Sequence, residues 1–447
     1  MLKRRGLYWL LDSLWLLGVA LFVFAGRDKA PFHGDESTLV FMSRDYYYLL
    51  HEGDLDRVLF SATPRNETAQ RLRILNGTVG KMAMGLAEDL DGLSLDDLNS
   101  NKWNWRLTYE ENVAAGHMPS VRALRAARTA SALLTVISVW AVFVIALLVA
   151  RRRPAAYIAS LIYVTTPAVL LFGRRAMFEG SFLGFMTLAL LVALFVGREQ
   201  GRVPARRWVL IGWTALFAVV SGCALASKHT AVIAVAAAFA ALMIEPVLRA
   251  YTAKLPPREW INRQWVVRWG WAAALVGFTF LALNPTWWSD PLRMPQRTLL
   301  ERKMLLSTQV ETYGSFDNVQ ARFAEFVDQA VYAGPSYGGL TTEIEIERYE
   351  KNGLAGRGAG IVWGIVLAGL LGPGLFILAR RWRESDALIV LLWTGITVIV
   401  LVFFNPLRIQ RYYLPLQPPL AVIAGVGASM IIHWMTHKRR SVEKIDS

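Results

Sequence analysis

Residues 131–153 read SALLTVISVWAVFVIALLVARRR, an apolar run followed at once by three arginines. An α-helix rises about 1.5 Å per residue, so about 20 apolar residues are enough to cross the hydrocarbon core of a bilayer. Cations directly behind such a run are typical of the cytoplasmic end of a membrane span. The stretch therefore predicts a membrane-spanning helix near residues 123–149, with Arg151 to Arg153 on the cytoplasmic side.

The rest of the chain repeats this pattern. Of its 447 residues, 54% are hydrophobic and only 18% are charged, which excludes an ordinary soluble enzyme. The chain is expected to be an all-α polytopic membrane protein embedded in a lipid bilayer. Its ten predicted spans lie near residues 7–26, 123–149, 155–173, 180–197, 208–227, 230–248, 268–284, 358–379, 387–404 and 412–433.

The Lys and Arg clusters between these spans fix the expected orientation. If the ten spans alternate in direction, every cluster falls on the same side, which makes both termini cytoplasmic. The orientation of the spans then accounts for most of the formal charge of +14, so nucleic acid is not expected as a partner. The clusters are Lys3 to Arg5, Arg151 to Arg153, Arg198 with Arg202, Arg206 and Arg207, Arg249 with Lys254, Arg258, Arg263 and Arg268, Arg380 with Arg381 and Arg383, and Lys438 to Arg440 with Lys444.

Two long loops are expected on the outer side, residues 27–120 and 285–357, and connecting loops are where function usually concentrates. Residues 76–93 and 95–117 mix apolar and charged residues at roughly helical spacing, which predicts interfacial helices in the first loop. We expect one transmembrane domain, residues 1–433, and a cytoplasmic tail, residues 434–447. The single cysteine, Cys223, excludes an intramolecular disulfide.

Charged and polar residues recur at the outer ends of the predicted spans. Arg and Lys in such places often only reach from the helix end to the interface, and a Glu there often only faces water. Together, however, these residues put acids and cations at one depth, where the cations could hold a phosphate and a carboxylate could accept a proton. The residues are Asp35, Glu36, His117, Arg122, Arg174, Arg175, Glu179, Lys228, His229, Arg408 and Arg411.

Five stretches, in this order along the chain, resemble motifs of one enzyme family. They are HGDES at residues 33–37, GHMPSVRALRAARTASALLTV at 116–136, LLFGRRAMFEGSF at 170–182, ALASKHTAV at 224–232 and RIQRYYLPLQPPLAVIAG at 408–425. LNPTWWSDPL, residues 283–292, is also similar to the family stretch that opens the second long loop. The chain thus resembles the polyprenyl-phosphate-sugar-dependent glycosyltransferases of the GT-C fold, which include dolichyl-phosphate-mannose protein mannosyltransferases and bacterial lipid A aminoarabinose transferases.

The resemblance implies a GT-C bundle and a role for each matching position. Asp35 takes the place of the catalytic base, with the acid Glu36 beside it. Arg174, Lys228 and Arg411 take the places of the cations that hold the donor phosphate. Substrate-binding roles extend to the neighbouring positions Arg175, Glu179, Arg408 and Tyr412, and to His117. The family's His-Pro-Pro is HMPS here, which departs from the pattern around His117.

The implied reaction moves a hexose or pentose from a polyprenyl-phosphate-sugar donor to a protein, lipid or glycan acceptor. A single base with a cation-stabilised leaving group predicts inversion at the anomeric carbon, since retention would require a further nucleophile. We expect a multi-pass protein of a prokaryotic plasma membrane with its active site facing outward.

Three alternatives stay open at this stage. The adjacent carboxylates of Asp35 and Glu36 could bind a divalent cation, although no third acidic ligand is obvious and no cofactor is certain. A transporter of an anionic lipid or sugar would also carry charges in a polytopic bundle, but near the midplane of repeated halves. A non-catalytic membrane assembly protein would tolerate neutralisation of Asp35.

Overall fold

The structure is a computed structural model that describes residues 2–443 except 203, 257–259, 262 and 339. Two cations of the basic clusters, Arg258 and Lys444, lie outside the described residues. The described part is built from helices joined by loops and has no strand. Nine of its helical segments are long and apolar enough to cross a membrane, and a bent helix pair raises this number to as many as ten. The predicted all-α polytopic fold is confirmed.

The spanning helices follow the apolar runs closely. Pro167 separates α7 from α8, which meet at 63°, because proline lacks an N–H donor and disfavours helical geometry in the residue before it. The predicted third span is therefore a broken helix. The spanning helices are α1 (Leu2–Ala25), α6 (Val121–Ala150), α7 (Arg153–Thr165), α8 (Pro167–Arg174), α9 (Phe178–Gln200), α10 (Arg207–Ser227), α11 (Val232–Thr252), α12 (Arg263–Leu283), α16 (Ile361–Arg380), α17 (Ser385–Ile399) and α18 (Gln417–Glu443).

Shorter helices fill the two long loops. The predicted helix at residues 76–93 is present as α4, whereas residues 95–117 contain only a 3₁₀ turn and the short α5. The irregular part of that second stretch is held by side chains: the Asn112 amide bonds the carbonyls of Asn104 and Thr108. The loop helices are α2 (Gly34–Leu50), α3 (Glu67–Leu75), α4 (Val79–Leu90), α5 (Tyr109–Ala114), α13 (Met294–Tyr313), α14 (Val319–Val327) and α15 (Glu343–Lys351).

The two long loops pack on each other at one end of the bundle, which we call the loop end. Arg71 of the first loop pairs with Glu301 of the second at 2.8 Å, and the Thr286 hydroxyl donates to the Val58 carbonyl at 2.9 Å. Three of the basic clusters meet at the opposite end, where Arg151, Arg198 and Arg381 all lie within ion-pair distance of Asp386. There Arg151 pairs with Glu384 across two connections, at 2.6 Å.

Close helix packing places the polar residues of the loop end. Helices α6 and α9 touch at glycines: a Cβ on Gly180 would lie 2.4 Å from the Ser131 carbonyl, and one on Gly184 would lie 2.7 Å from the Leu134 carbonyl. In membrane proteins generally, small residues at a helix interface allow two helix backbones to approach this closely. They fix Arg128 on α6 and Glu179 on α9 beside the start of α2.

Candidate functional site

Helix α2 begins where the chain enters the loop end after α1. His33 caps its first turn: the ring Nδ1 accepts the Asp35 N–H at 3.1 Å, while the Glu36 carboxylate accepts the His33 N–H at 3.0 Å. This is a reciprocal capping box built with histidine. Gly34 is required because a Cβ there would lie 2.6 Å from the buried Trp103 ring. The sequence HGDE therefore starts a helix with both carboxylates in its first turn.

The Asp35 carboxylate is directed at Arg411 and forms an ion pair with its guanidinium. Burial raises the pKa of Asp35, but the charge of Arg411 and its hydrogen bond to the carboxylate outweigh burial, so the pKa lies below its usual range. Burial lowers the pKa of His33, which keeps the ring neutral at neutral pH. Asp35 is therefore an ionised carboxylate able to accept a proton.

Glu36, the adjacent acid, points elsewhere and is fully buried. Arg128 binds it through two hydrogen bonds, of 2.7 Å and 2.8 Å, and the Ala176 N–H donates to it at 2.8 Å. Burial raises the pKa of Glu36, and Arg128 more than compensates, so the pKa is lowered overall. The two carboxylates thus differ in surroundings: Asp35 is part-exposed and has a single cation partner, whereas all Glu36 contacts are internal.

A second ion pair lies beside the first. Lys228, in the turn between α10 and α11, donates to Glu179 at 2.8 Å. The Tyr412 ring lies between the two cations, with its centroid 5.9 Å from Lys228 Nζ and 5.9 Å from the Arg411 guanidinium carbon. The predicted site residues Asp35, Glu179, Lys228, Arg411 and Tyr412 therefore form one cluster, which we call the loop-end cluster.

A further cation, Arg302 on α13, was missed by sequence reasoning. It lies close enough to Arg411 and Tyr412 to influence and be influenced by their charges. Its hydrogen bond goes to the Leu75 carbonyl, and within the described residues it forms no ion pair. Nothing in the sequence distinguishes it from its neighbours Arg297 and Lys303; only the docking of α13 on α3 brings it here.

Arg174, a predicted phosphate ligand, is fully buried and engaged within the protein. It donates to the carbonyls of Phe22, Val23 and Leu354 and to the Tyr349 hydroxyl. These contacts join the end of α1 to the second loop. The structure therefore separates Arg174 from the loop-end cluster, and its phosphate-binding role stays a prediction that the geometry does not favour.

Arg175 is also buried, but it lies between the two acids of α2. Its Nε donates to the Pro31 carbonyl and one terminal nitrogen to the Tyr337 carbonyl, at 2.9 Å and 2.8 Å. Its other terminal nitrogen, Nη1, is buried without a hydrogen-bond partner among the described residues. Burial lowers the pKa of Arg175 to about 10 against the opposing charge of Glu36, so the group stays cationic.

Two predicted residues lie away from this cluster. The His117 ring bonds the Asn112 side chain at 2.9 Å, and its carbonyl accepts from Ser37 on α2. The Arg408 side chain is exposed and stacks on Phe316, 5.1 Å from the ring centroid. Their predicted substrate-binding roles stay predictions, since neither side chain contacts a member of the cluster in the described structure.

The loop-end cluster holds two acids and two cations, and it does not fit a divalent metal. The described residues hold no group of three His, Cys, Asp or Glu that could bind a metal ion. Asp35 is occupied by Arg411, and Glu36 by Arg128. Arg302 and Arg175 lie near the cluster and make its surroundings net positive, which suits an anionic ligand instead.

Comparisons with known proteins agree with the fold. The sequence model of the dolichyl-phosphate-mannose-protein mannosyltransferase family matches residues 101–298. No curated protein matches the chain by sequence. The solved archaeal oligosaccharyltransferase AglB from Archaeoglobus fulgidus, in complex with an inhibitory peptide and a dolichol-phosphate, has a TM-score of 0.53 and 12% identity, covering 98% of this chain and 52% of that one.

Two further structures of the Archaeoglobus fulgidus oligosaccharyltransferase are similar. The complex with Zn and sulfate has a TM-score of 0.53 and 11% identity over 95% of this chain and 50% of that one. The form tethered to an acceptor peptide with the NVT sequon has a TM-score of 0.50 and 13% identity over 97% and 51%. The chain spans about half the length of these structures.

The fold is that of the GT-C glycosyltransferases, and the resemblance stated from the motifs is confirmed. The particular family whose sequence model matches, over the stretch from the first loop to α13, is that of the dolichyl-phosphate-mannose-protein mannosyltransferases. Together these findings show a fold of the GT-C type whose apolar helices are long enough to cross a membrane.

Proposed function

We propose that the chain is an inverting glycosyltransferase that moves a sugar from a polyprenyl-phosphate donor to a hydroxyl or amide acceptor at the loop end. The observation that carries the proposal is the Asp35–Arg411 ion pair, which puts a carboxylate and a cation in direct contact. The second pair, Lys228 and Glu179, lies beside it. A base and a phosphate-binding cation therefore lie close enough to act on one bound sugar, with the acceptor and the leaving phosphate on opposite faces of its anomeric carbon.

Each bond change has a residue to assist it. Asp35 accepts the proton of the acceptor while the acceptor atom bonds the anomeric carbon. The bond from that carbon to the phosphate oxygen breaks, and its electron pair leaves with the lipid phosphate. Arg411, Lys228 and Arg302 stabilise the departing anion, which needs no proton at neutral pH. No second nucleophile takes part, so the configuration inverts.

Donor binding has a direct consequence for the base. A phosphate that takes a share of the Arg411 guanidinium weakens its pair with Asp35. The Asp35 carboxylate, whose pKa that cation holds down, then becomes more basic when the donor is in place. Arg175, one of whose buried nitrogens has no hydrogen-bond partner within the described part of the chain, keeps a positive charge beside the carboxylates throughout.

Orientation and acceptor also belong to the proposal. Three of the basic clusters meet at the end opposite the two long loops, and by the positive-inside rule this directs the loop end away from the cytoplasm. Protein, lipid and glycan acceptors, and both hexose and pentose donors, are compatible with the site. A prokaryotic plasma membrane is the expected location.

The test uses purified protein in lipid nanodiscs with polyprenyl-phosphate sugars of different head groups. Binding of the donor, displaced by polyprenyl phosphate, is the expected result. Hydrolysis or transfer that frees polyprenyl phosphate from one donor, and inversion in the product by NMR, would establish the reaction. Binding of no lipid phosphate by wild-type protein would contradict the proposal.

A further inference from the structure

A cavity of about 450 Å³ lies in the first long loop, apart from the loop-end cluster. Helices α2 and α3 form two of its walls, and the connecting residues 56–66 cover it. The Gln70 side chain holds this cover by two hydrogen bonds to the Ser61 backbone, of 2.8 Å and 2.9 Å. The volume lies within the range of small-molecule sites in proteins, roughly 300–1,000 Å³.

The floor of the cavity is a buried charge triad. Asp45 accepts from Arg73 at 2.6 Å and pairs also with Lys81. Burial raises the pKa of Asp45, but the charges of Lys81 and Arg73 outweigh burial and lower the pKa overall. The acid is therefore ionised, and the triad carries one net positive charge. Only 8% of the Arg73 side chain is exposed.

Arg73 has donor capacity left over. Its Nε and Nη2 bind Asp45, and Nη1 has no hydrogen-bond partner among the described residues. Because Arg73 lines the cavity, the unused nitrogen is available to a ligand there. An arginine fork held in place by packing suits a carboxylate or phosphate, which it can bind at low entropic cost.

Other lining residues extend this pattern. Arg44, Arg57 and Arg65 line the cavity with Arg73. Arg57 lies over the Tyr48 ring, 4.6 Å from its centroid, and pairs with Glu52 and Asp54 outside the cavity. The exposed Asp56 at the rim forms no ion pair in the described structure, so its carboxylate can accept from hydroxyls.

The cavity also has a defined relation to the base. Asp35 and Met42 are seven residues apart on α2, two helical turns, so they lie on the same face. Met42 and Asp45 both line the cavity. At a rise of about 1.5 Å per residue, these two residues lie roughly 10–15 Å along the helix from Asp35. A ligand in the cavity could therefore be one part of an extended acceptor whose other end reaches the base.

We propose that this cavity binds an anionic sugar unit of the acceptor, with its carboxylate or phosphate on Arg73 and Arg65 and its hydroxyls on Asp56. The assignment of the unit to the acceptor rests on the proposed function. Binding of such a sugar to the cavity does not, because it needs neither Asp35 nor the donor.

The experiment measures binding calorimetry of purified protein in zwitterionic nanodiscs without donor. The probes are glucose 6-phosphate, glucuronate, glucose and inorganic phosphate. We expect both anionic sugars to bind, and glucose to bind at least about tenfold more weakly, because it lacks the charge-assisted hydrogen bonds. Equal binding of glucose, or binding of neither anionic sugar, would overturn the proposal. Inorganic phosphate as tight as glucose 6-phosphate would overturn the assignment to a sugar.

Variants separate the cavity from the rest of the molecule. Arg65→Gln changes an exposed lining residue, and Arg73→Lys keeps the charge beside Asp45 while removing the free nitrogen. Each should weaken glucose 6-phosphate binding by about tenfold. Arg122→Gln is the matched control, because Arg122 pairs with Asp91 in the same loop and does not line the cavity. Unaltered binding in both cavity variants would contradict the assignment.

One further variant keeps this test distinct from that of the enzyme activity. Asp35→Asn should bind glucose 6-phosphate as the wild type does. Loss of transfer in that variant with binding retained would leave the cavity assignment standing. Loss of the binding itself in Asp35→Asn would count against a separate site.

Discussion

Asp35 and Arg411 stand 376 positions apart in the sequence and form an ion pair at the loop end. Asp35 lies in the first turn of α2, and Arg411 in the 3₁₀ turn that precedes α18. The pair therefore closes the bundle on itself, joining its first loop to its last span. It also holds the pKa of Asp35 below its ordinary value.

The pH dependence should differ between free and donor-bound protein. In the free protein the pKa of Asp35 lies below the ordinary value of an aspartate, so the acid limb of kcat/KM should lie below that value as well. If the donor phosphate shares Arg411, the limb of kcat should lie at higher pH. The two profiles, measured for the wild type, check this. Identical acid limbs would show that Arg411 does not change partners.

Donor affinity should depend on Lys228 of the loop-end cluster and on Arg302, which lies beside it. Lys228→Ala and Arg302→Ala each remove a cation near the phosphate, and we expect the KM for the donor to rise by about tenfold, with a smaller change in kcat. Arg297→Ala, a cation on the same helix as Arg302 but outside the cluster, is the control. Unchanged donor KM in both Lys228→Ala and Arg302→Ala would remove these residues from the phosphate site.

Arg174→Ala is a separate case, because the sequence predicts a phosphate ligand and the structure shows an arginine bound to four internal acceptors. We expect it to lower thermal stability, since removal of the guanidinium leaves buried carbonyls unpaired. Donor KM and the unfolding midpoint, measured on the same preparation, distinguish the two roles. A raised KM at full stability would restore the role that the motif predicts.

Glu36 should matter more for stability than for chemistry. Glu36→Gln leaves Arg128 buried without its counter-charge, which costs about 3–5 kcal/mol in comparable buried pairs. Because the pKa of Glu36 is lowered in the folded protein, this stabilisation is present above pH 4.5 and is lost as the pH falls through the folded value. The unfolding midpoint of wild type and Glu36→Gln at pH 7 measures it. A variant as stable as the wild type would show that the Glu36–Arg128 pair does not stabilise the fold.

The sequence predicts the spans and the composition of the site better than its contacts. Apolar runs longer than about 18 residues determine helices whatever their neighbours, so the spans are recovered to within a few residues. Arg174 and Arg175 are adjacent in a motif, yet a helix end turns one toward α1 and the other toward α2. That choice depends on tertiary packing, which no local pattern contains.

Sequence reasoning also missed Arg128, Arg302 and the break at Pro167, and these three differ in whether the sequence could have revealed them. Arg128 lies three residues beyond Arg125 in a quoted stretch, so its face of α6 could have been identified from helical spacing. Arg302 could not, because its position depends on how α13 docks on the first loop. The break at Pro167 could have been predicted, since proline within a span disrupts the helix at that point.

The central claim is that Asp35 is the base. Asp35→Asn keeps the shape of the side chain and removes its basic electron pairs, so turnover should fall by roughly two to four orders of magnitude. Arg411, Lys228 and Arg302 remain, so donor binding should persist. Glu36→Gln is measured beside it to separate the two acids.

The decisive measurement is turnover and donor binding of Asp35→Asn on one preparation of purified protein in lipid. The account predicts near-complete loss of transfer with donor affinity within a few-fold of wild type. Transfer at nearly the wild-type rate would contradict it, and loss of transfer only in Glu36→Gln, with that variant still folded, would move the base to Glu36.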